Sequence, residues 1–207
     1  MKAYTIHSPV GEPLPVVASI PHTGTALPPG YAERLASDAM RALPMTDWHM
    51  AELFDFLPSL GVTVIAAEVS RFVIDLNRPP DGEALYPGRY ETGLVALQSF
   101  AGDPVFSSPP SDEEIAQARH DIYDPYHSAL SALRANRREP AGVIQLDLHS
   151  VTPTANRISG PLERDIFLGD RAGRSCDAWL TQTVRDVYES AGFSVAVNDP
   201  YKGGWIT

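Results

Sequence analysis

Short apolar runs that alternate with helical patterns constrain the fold of this chain more than any other feature. Five runs are rich in β-branched residues and end at polar or turn-forming residues, as buried strands do. They cover residues 16–20, 62–67, 72–76, 143–148 and 193–197. Strands that alternate with helices predict an α/β fold. We therefore expect three layers, with a mostly parallel mixed sheet flanked by helices, in a single domain over residues 1–207.

Three helical patterns lie between the apolar runs. Ser111 and Glu114 form a capping-box pattern at the start of a helix that Pro125 should kink or break. A second helix is predicted to begin after Thr46, which would cap it. A third helix is predicted over residues 175–191. The Thr46 helix is predicted from apolar residues at spacings of three and four: Met50, Leu53, Phe54 and Leu57.

Charge and cysteine content exclude several classes of function. The formal net charge of −10 repels phosphate backbones, so we predict no nucleic-acid partner, although local arginines can still hold a small acidic substrate. The one cysteine, Cys176, cannot form an internal disulfide, which fits a reducing compartment. No apolar stretch has the length of a signal peptide or membrane span, so we predict a cytoplasmic protein without a membrane partner.

Two of the predicted strands end at a histidine. His22 follows the first strand in the motif S-I-P-H-T-G, and His149 follows the fourth in D-L-H-S. Ligands of α/β proteins bind beyond the carboxyl ends of strands, so both histidines are candidates for metal or substrate binding. Asp147 shares a strand face with His149 and can orient that imidazole or bind a metal itself. An ordinary turn histidine and a loop-holding Asp–His pair are the alternatives.

A carboxylate from a third segment would complete a metal site. In T-D-W-H, Asp47 and His49 flank the apolar stripe of the predicted helix, so either could point inward. The ordinary interpretation of Asp47 is an acid that complements the helix dipole. Two histidines and an aspartate suit Zn²⁺ with open positions, and the same set accepts Mn²⁺, Co²⁺ or Fe²⁺. Whether Asp47, His49 or Asp147 is the third ligand stays open.

The third predicted strand carries polar residues at both ends. Arg71 precedes it, and Asp75, Asn77 and Arg78 lie at its exit, with Asp75 and Asn77 expected on one face. An Asn-Arg pair can hold a carboxylate, because the guanidinium fork takes both oxygens. A strand-end turn with a solvated arginine is the alternative. Other chemistries are disfavoured, since the chain has neither a G-x-S-x-G elbow nor a phosphate-cradling fingerprint.

Taken together, the motifs resemble the N-formylglutamate amidohydrolase family over essentially the whole chain. They occur in the family's order: S-I-P-H-T-G, T-D-W-H, S-R-F-V-I-D-L-N-R-P, L-Y-P, T-G-L, P-Y-H-S-A-L, D-L-H-S and Y-K-G-G-W-I-T. D-L-N-R is also similar to the D-x-N-R segment of zinc carboxypeptidases and of the desuccinylase/aspartoacylase group. The resemblance implies a zinc-carboxypeptidase-like fold and a zinc hydrolase that cleaves N-formyl-L-glutamate to formate and glutamate in histidine degradation.

The resemblance also assigns roles to individual residues. It implies that His22 and His149 are the imidazole ligands of the metal and that Asp47 is the carboxylate ligand. Asn77 and Arg78 match the pair that binds a substrate carboxylate in the related peptidases. A second arginine is expected to bind the other carboxylate of the substrate: Arg89 or Arg157.

Two catalytic roles complete the hypothesis. Arg71 is similar to an arginine that polarises the scissile carbonyl. Family members usually run on beyond the position of Thr207 into a segment whose glutamate would be the general base, and we expect His127 or Glu68 to substitute only if the fold brings it near the metal. A different amide substrate, or a metal- and carboxylate-binding relative without activity, is the competing interpretation.

Overall fold

The chain folds into two units, each built around its own sheet. The computed structural model describes residues 1–84, 91–135 and 142–207, and the units are Met1–Val151 and Thr152–Thr207. The first unit carries the predicted histidines and is described first. The single catalytic domain predicted over residues 1–207 stays a prediction.

The first unit contains a four-stranded mixed sheet. Its strands are β1 (Tyr4–His7), β2 (Val16–Ile20), β3 (Thr63–Ala67) and β4 (Ile144–Asp147), in the spatial order β1-β3-β2-β4. Strand β2 runs parallel to both β3 and β4, and β1 pairs antiparallel with β3. This confirms the predicted α/β class with a mostly parallel sheet. It also brings the carboxyl ends of β2 and β4 to one edge.

Short helices and one long helical run surround this sheet. They are a 3₁₀ turn (Ala32–Arg34), α1 (Asp38–Arg41), α2 (Met50–Leu53), a second 3₁₀ turn (Leu57–Leu60), α3 (Asp112–Ala118), a π-helical turn (Arg119–Tyr123) and α4 (Asp124–Ala135). The predicted capping box of Ser111 and Glu114 is present at the start of α3. Pro125 does not end the run, which continues from the π-helical turn through the second residue of α4.

Apolar side chains alternate across β2 because successive strand residues point to opposite faces. Ala18 and Ile20 belong to a buried cluster with Met50 and Leu57, so α2 and the following 3₁₀ turn cover that face. Ser19 points to the other face, where its hydroxyl lies 3.0 Å from the hydroxyl of the fully buried Tyr126 on α4. Helical segments therefore pack on both faces of the sheet. The more specific likeness to zinc carboxypeptidases stays a prediction.

The single helix predicted from Thr46 is wrong. His49 precedes α2 with φ 63° and caps it without a side-chain hydrogen bond, and α2 itself is only four residues long. Of the four apolar residues, only Leu57 belongs to the separate 3₁₀ turn, whose first turn contains Pro58. The left-handed His49 separates Thr46 from α2, and of the four apolar residues Met50 and Leu57 are buried, whereas Leu53 is exposed.

The strand predicted over residues 72–76 is also wrong, because this segment forms turns. Local hydrogen bonds replace a strand ladder here: Val73 N–H donates to Ser70 O, and Asn77 N–H donates to a carboxylate oxygen of Asp75. Side chains that satisfy nearby backbone groups compete with sheet pairing in this way. The run is nevertheless buried, which explains its apolar composition.

The second unit is a small parallel βαβ arrangement. Strand β5 (Ile166–Leu168) pairs in parallel with β6 (Val195–Val197), and α5 (Ala178–Ser190) lies between them in the sequence. Both the predicted helix and the predicted strand are present with narrower bounds. Among the described residues, no helix combines the length and apolar character that crossing a bilayer requires.

Gly24 provides a test of packing beside β2. A Cβ at this position would lie 2.4 Å from Val69 O and 2.6 Å from the Glu68 carbonyl carbon, and these backbone atoms cannot swing aside. We expect Gly24→Ala to lower the free energy of unfolding by about 2 kcal/mol in urea titrations. Gly93→Ala is the matched control, because its nearest neighbour, Val95 O, would be at an ordinary 3.6 Å. Equal stability of the two variants would contradict this packing.

Candidate metal centre

The sheet places the two predicted imidazoles side by side. His22 lies two residues beyond the end of β2, and His149 lies two residues beyond the end of the neighbouring parallel strand β4. Asp47 joins them from the turn before α2, where its N–H donates to His22 O at 2.9 Å. Three segments distant in sequence thus meet at the carboxyl edge of the sheet, where α/β proteins bind ligands.

The side chains of these residues converge. Asp47 Oδ2 lies 3.7 Å from His22 Nδ1 and 3.1 Å from His149 Nδ1. The two rings are 4.9 Å apart between centroids, and one potential ligand atom from each of the three residues lies within 4.8 Å of the others. The structure therefore brings together the ligand set that the sequence suggested.

The alternative third ligands lie elsewhere. The side chain of His49 is 82% exposed, and its Nδ1 lies 2.8 Å from Glu52 Oε2. Asp147 is on the far side of His149, with Oδ2 3.0 Å from Nε2 of the imidazole. Of the three candidates, only Asp47 lies between the two imidazoles, while Asp147 is placed to orient one of them.

Each imidazole contacts a second carboxylate through Nε2, the ring nitrogen that points away from Asp47. Asp75 Oδ1 lies 2.7 Å from Nε2 of His22, just as Asp147 lies behind Nε2 of His149. A carboxylate in this position fixes the orientation of the ring and favours the tautomer with a proton on Nε2. The Nδ1 atoms of both rings then face Asp47.

Asp75 was not singled out as a site residue, yet it holds His22 in place. Arg71 Nη2 donates to Asp75 Oδ2 at 2.6 Å, and Arg71 Nη1 lies 3.3 Å from His22 Nδ1. Burial disfavours the ionised carboxyl of Asp75, but the Arg71 guanidinium and the contact with His22 hold its pKa well below the usual range.

A second group of contacts holds Asp147. Ser19 Oγ donates to Asp147 Oδ1 at 3.2 Å, and Asn77 Nδ2 donates to Asp147 Oδ2 at 3.2 Å. The amide nitrogen of Asn77 also lies 2.9 Å from Nε2 of His149, which places Asn77 beside the metal-ligand candidates. Ser19 and its partner Tyr126 were missed, although a serine inside the apolar β2 run was a usable signal.

The site has an excess of negative groups. Burial raises the pKa of Asp47, but hydrogen bonds with His149 and His22 outweigh it and leave that pKa well below its usual value. Burial likewise opposes protonation of His149, but Asp147 and Asp47 outweigh it and raise the His149 pKa to about 10. Three aspartates around two imidazoles and one arginine create an environment that favours a bound cation.

The other predicted site residues have different surroundings. Arg78 Nε donates to Thr92 O at 2.9 Å, and Arg78 Nη1 donates to Asn77 O at 3.0 Å. His127 Nε2 donates to Leu76 O at 2.9 Å, and no hydrogen bond within residues 1–84, 91–135 and 142–207 joins His127 to the metal-ligand candidates. Arg89 lies outside the described residues, so its role stays a prediction.

Fold and site together define a class: α/β proteins with an acidic histidine–carboxylate cluster at the carboxyl edge of a mostly parallel sheet. The family model described as N-formylglutamate amidohydrolase matches residues 14–207. The chain therefore belongs to the N-formylglutamate amidohydrolase family. This confirms the resemblance inferred from the motifs.

Two N-formylglutamate deformylases and two solved structures are similar to the chain. N-formylglutamate deformylases of Pseudomonas putida and Pseudomonas aeruginosa PAO1 are 40% and 37% identical over 94% of this chain, which spans 73% and 74% of theirs. An N-formylglutamate amidohydrolase structure from Ralstonia eutropha JMP134 matches with TM-score 0.81 and 29% identity, over 98% of this chain and 79% of that one. The structure of a gene product from Agrobacterium tumefaciens matches with TM-score 0.73 and 22% identity, over 97% of this chain and 75% of that one. This likeness supports the fold alone.

The charge state of His149 predicts how the stability of the metal-free protein depends on pH. Because the pKa is raised to about 10 from 6.5, its stabilising contribution is complete below pH 6.5 and is lost as pH rises toward 10. The side chain remains 27% exposed, so we expect solvent to limit the change to about 1–2 kcal/mol. Urea unfolding of the wild type and His149→Gln should give a difference that shrinks between pH 6 and pH 10. A constant difference would contradict the prediction.

Proposed function

We propose that this chain is a metal-dependent amidohydrolase that cleaves the amide bond of N-formyl-L-glutamate, releasing formate and glutamate. The convergence of His22, Asp47 and His149 carries the proposal, because it supplies a ligand set suited to hydrolytic metal chemistry. The identity to two N-formylglutamate deformylases over most of the chain supports the choice of substrate. A place in histidine degradation remains a prediction from the family resemblance.

The three donor atoms fit a metal ion. Tetrahedral zinc with bonds of about 2.0–2.2 Å places neighbouring ligand atoms roughly 3.3 Å apart. The separations of 3.1 and 3.7 Å between Asp47 and the two imidazoles lie on either side of that value, and all three donor atoms lie within 4.8 Å of one another. Each imidazole also has the carboxylate partner that metal-bound histidines usually have. We propose Zn²⁺ as the ion, while Mn²⁺, Co²⁺ and Fe²⁺ suit the same donors.

When bound, Zn²⁺ supplies a Lewis acid and lowers the pKa of a coordinated water to about 7. The protein's part is to hold the donors. Asp75 and Asp147 fix the two rings, and Asp47 is fixed by its own N–H and by the Ser150 N–H, which donates to Oδ2 at 3.2 Å. Rigid placement matters because ligands that need not reorganise stabilise developing charge most effectively.

Arg71 is proposed to act through Asp75. Its side chain is 5% exposed, and its described hydrogen bonds reach Asp75, His22 and Met45 O. These contacts support a positioning role for the guanidinium. The role predicted from the resemblance, polarisation of the scissile carbonyl by Arg71, stays a prediction.

Arg78 is proposed to bind a substrate carboxylate, and the predicted share of Asn77 stays a prediction, because its amide nitrogen faces Asp147 and His149. Thr92 and the Asn77 carbonyl hold Nε and Nη1 of Arg78, and its Nη2 has no hydrogen-bond partner in the described part of the chain. A planar guanidinium fixed along one side presents its remaining N–H groups to a carboxylate in a set orientation. Since Asn77 contacts His149 directly, a carboxylate held here would place the formyl amide beside the metal ligands.

We propose a carboxylate as the general base, following the family resemblance. Glu68 is an unsuitable substitute, because it accepts a hydrogen bond from Thr5 and pairs with Lys2 at 3.9 Å. His127 is engaged by the Leu76 carbonyl. The predicted family glutamate therefore remains the proposed base.

The ligand assignment is tested by His149→Ala. We expect bound zinc, measured by atomic emission, to fall to background and formate release to fall more than about 100-fold, because one of three ligands is lost. His49→Ala is the matched control, since the His49 side chain is 82% exposed and its Nδ1 lies 2.8 Å from the exposed Glu52. Full zinc content and full turnover in His149→Ala would refute the assignment.

The carboxylate assignment is tested by Arg78→Ala. We expect kcat/KM for N-formyl-L-glutamate to fall about 10- to 100-fold, because a charge-assisted hydrogen-bond pair is lost, while zinc content is retained. The exposed Arg185, which pairs with Glu189 on α5, supplies the control Arg185→Ala. An equal loss for a neutral formyl amide would show that Arg78 does not recognise the carboxylate.

A further inference from the structure

The buried turn over residues 70–78 takes part of its backbone hydrogen bonding from side chains outside the turn. A strand would satisfy its carbonyls through a ladder, but this segment has none, and a buried carbonyl without a partner is costly. His127 Nε2 donates to Leu76 O at 2.9 Å, and Tyr123 Oη donates to Arg78 O at 2.7 Å. The two carbonyls on either side of Asn77 are therefore both anchored.

The two anchoring side chains form one rigid pair. Tyr123 ends the π-helical turn and His127 lies one helical turn later on α4, so both project from the same side of the helical run. Their rings are 4.2 Å apart between centroids. Tyr126, between them, reaches Ser19 on β2 and is fully buried. The helical run is thus fixed to the sheet at the same place where it holds the turn.

Asn77 and Arg78 are the residues that this anchoring controls. The Asn77 side chain contacts Asp147 and His149, and its carbonyl accepts a hydrogen bond from Arg78 Nη1. Three consecutive carbonyls, those of residues 76, 77 and 78, are each held by a side-chain donor. A rotation of this backbone would move the amide of Asn77 and the guanidinium of Arg78 together.

We propose that Tyr123 and His127 are positioning residues that clamp the backbone around Asn77, aiming its amide at His149 and the Arg78 guanidinium at the substrate carboxylate. The substrate part of this inference rests on the proposed function. A carbonyl only accepts hydrogen bonds, so His127 carries its proton on Nε2. Burial also lowers the pKa of His127, which favours the neutral ring. His127 is therefore a backbone anchor and not the general base considered for it.

Tyr123→Phe removes the hydroxyl and keeps the ring against His127. We expect KM for N-formyl-L-glutamate to rise about 10-fold with kcat changed less than threefold, while kcat/KM for a neutral formyl amide stays within twofold of the wild type. Tyr188→Phe is the matched control, because the Tyr188 hydroxyl has no hydrogen-bond partner among the described residues. An unchanged KM, or equal losses for both substrates, would overturn the inference.

His127 is tested with a pair of substitutions. A glutamine amide can replace Nε2 as the donor to Leu76 O, whereas leucine cannot. We expect His127→Gln to keep kcat and KM within about threefold of the wild type and His127→Leu to raise KM about 10-fold. A general base would instead lose 10²- to 10⁴-fold in kcat in both variants. That outcome would overturn the positioning role.

Failure of the proposed function and failure of this inference give different results. Absence of formate release by the zinc-loaded wild type would refute the function alone. The clamp would then be judged from the side-chain amide signals of Asn77 in ¹H–¹⁵N spectra. We expect these signals to shift in Tyr123→Phe and His127→Leu and to stay in place in His127→Gln and Tyr188→Phe. Unshifted signals in all four variants would overturn the clamp.

Discussion

Buried carboxylates that must be paired organise this molecule. Asp75 is completely buried and Asp47 nearly so, and an ionised carboxylate removed from water costs several kcal/mol unless charges and donors surround it. Arg71 and His22 satisfy Asp75, while the two imidazoles and a backbone N–H satisfy Asp47. Burying this polar cluster lowers the stability of the fold relative to an apolar core. Such clusters of buried charged groups are typical of functional sites.

The sheet gives this cluster its geometry. Ser19 and Asp147 are register partners on β2 and β4, so the hydrogen bond between them follows directly from strand pairing. The two histidines then leave the sheet one register position apart, because His149 lies two residues and His22 three residues beyond the Ser19–Asp147 pair. Asp47 is tied to the first of them through its own backbone. Positions set by strand register are more rigid than positions on free loops, which suits ligands that must keep fixed separations.

The sequence predicted the parts of the site that strand ends determine. His22 and His149 were found because an apolar β-branched run ending in histidine points to the ligand edge of an α/β sheet. Asp47 was one of several possibilities, since only the fold shows that it faces inward and His49 outward. The predicted strand over residues 72–76 failed because an apolar run reports burial and not hydrogen-bond pattern. Asp75 was overlooked as an orienting residue for the same reason: its role appears only once Arg71 and His22 are beside it.

Placing the imidazoles on neighbouring strands has a consequence for assembly. Position 22 lies near the beginning of the first unit and position 149 near its end, so a cation shared by both would act as a cross-link over almost the whole of that unit. Ion uptake and acquisition of the native topology would therefore be thermodynamically coupled, with each favouring the other. Such a centre cannot preassemble in a fragment, because its donors come together only when the last strand of the sheet has docked.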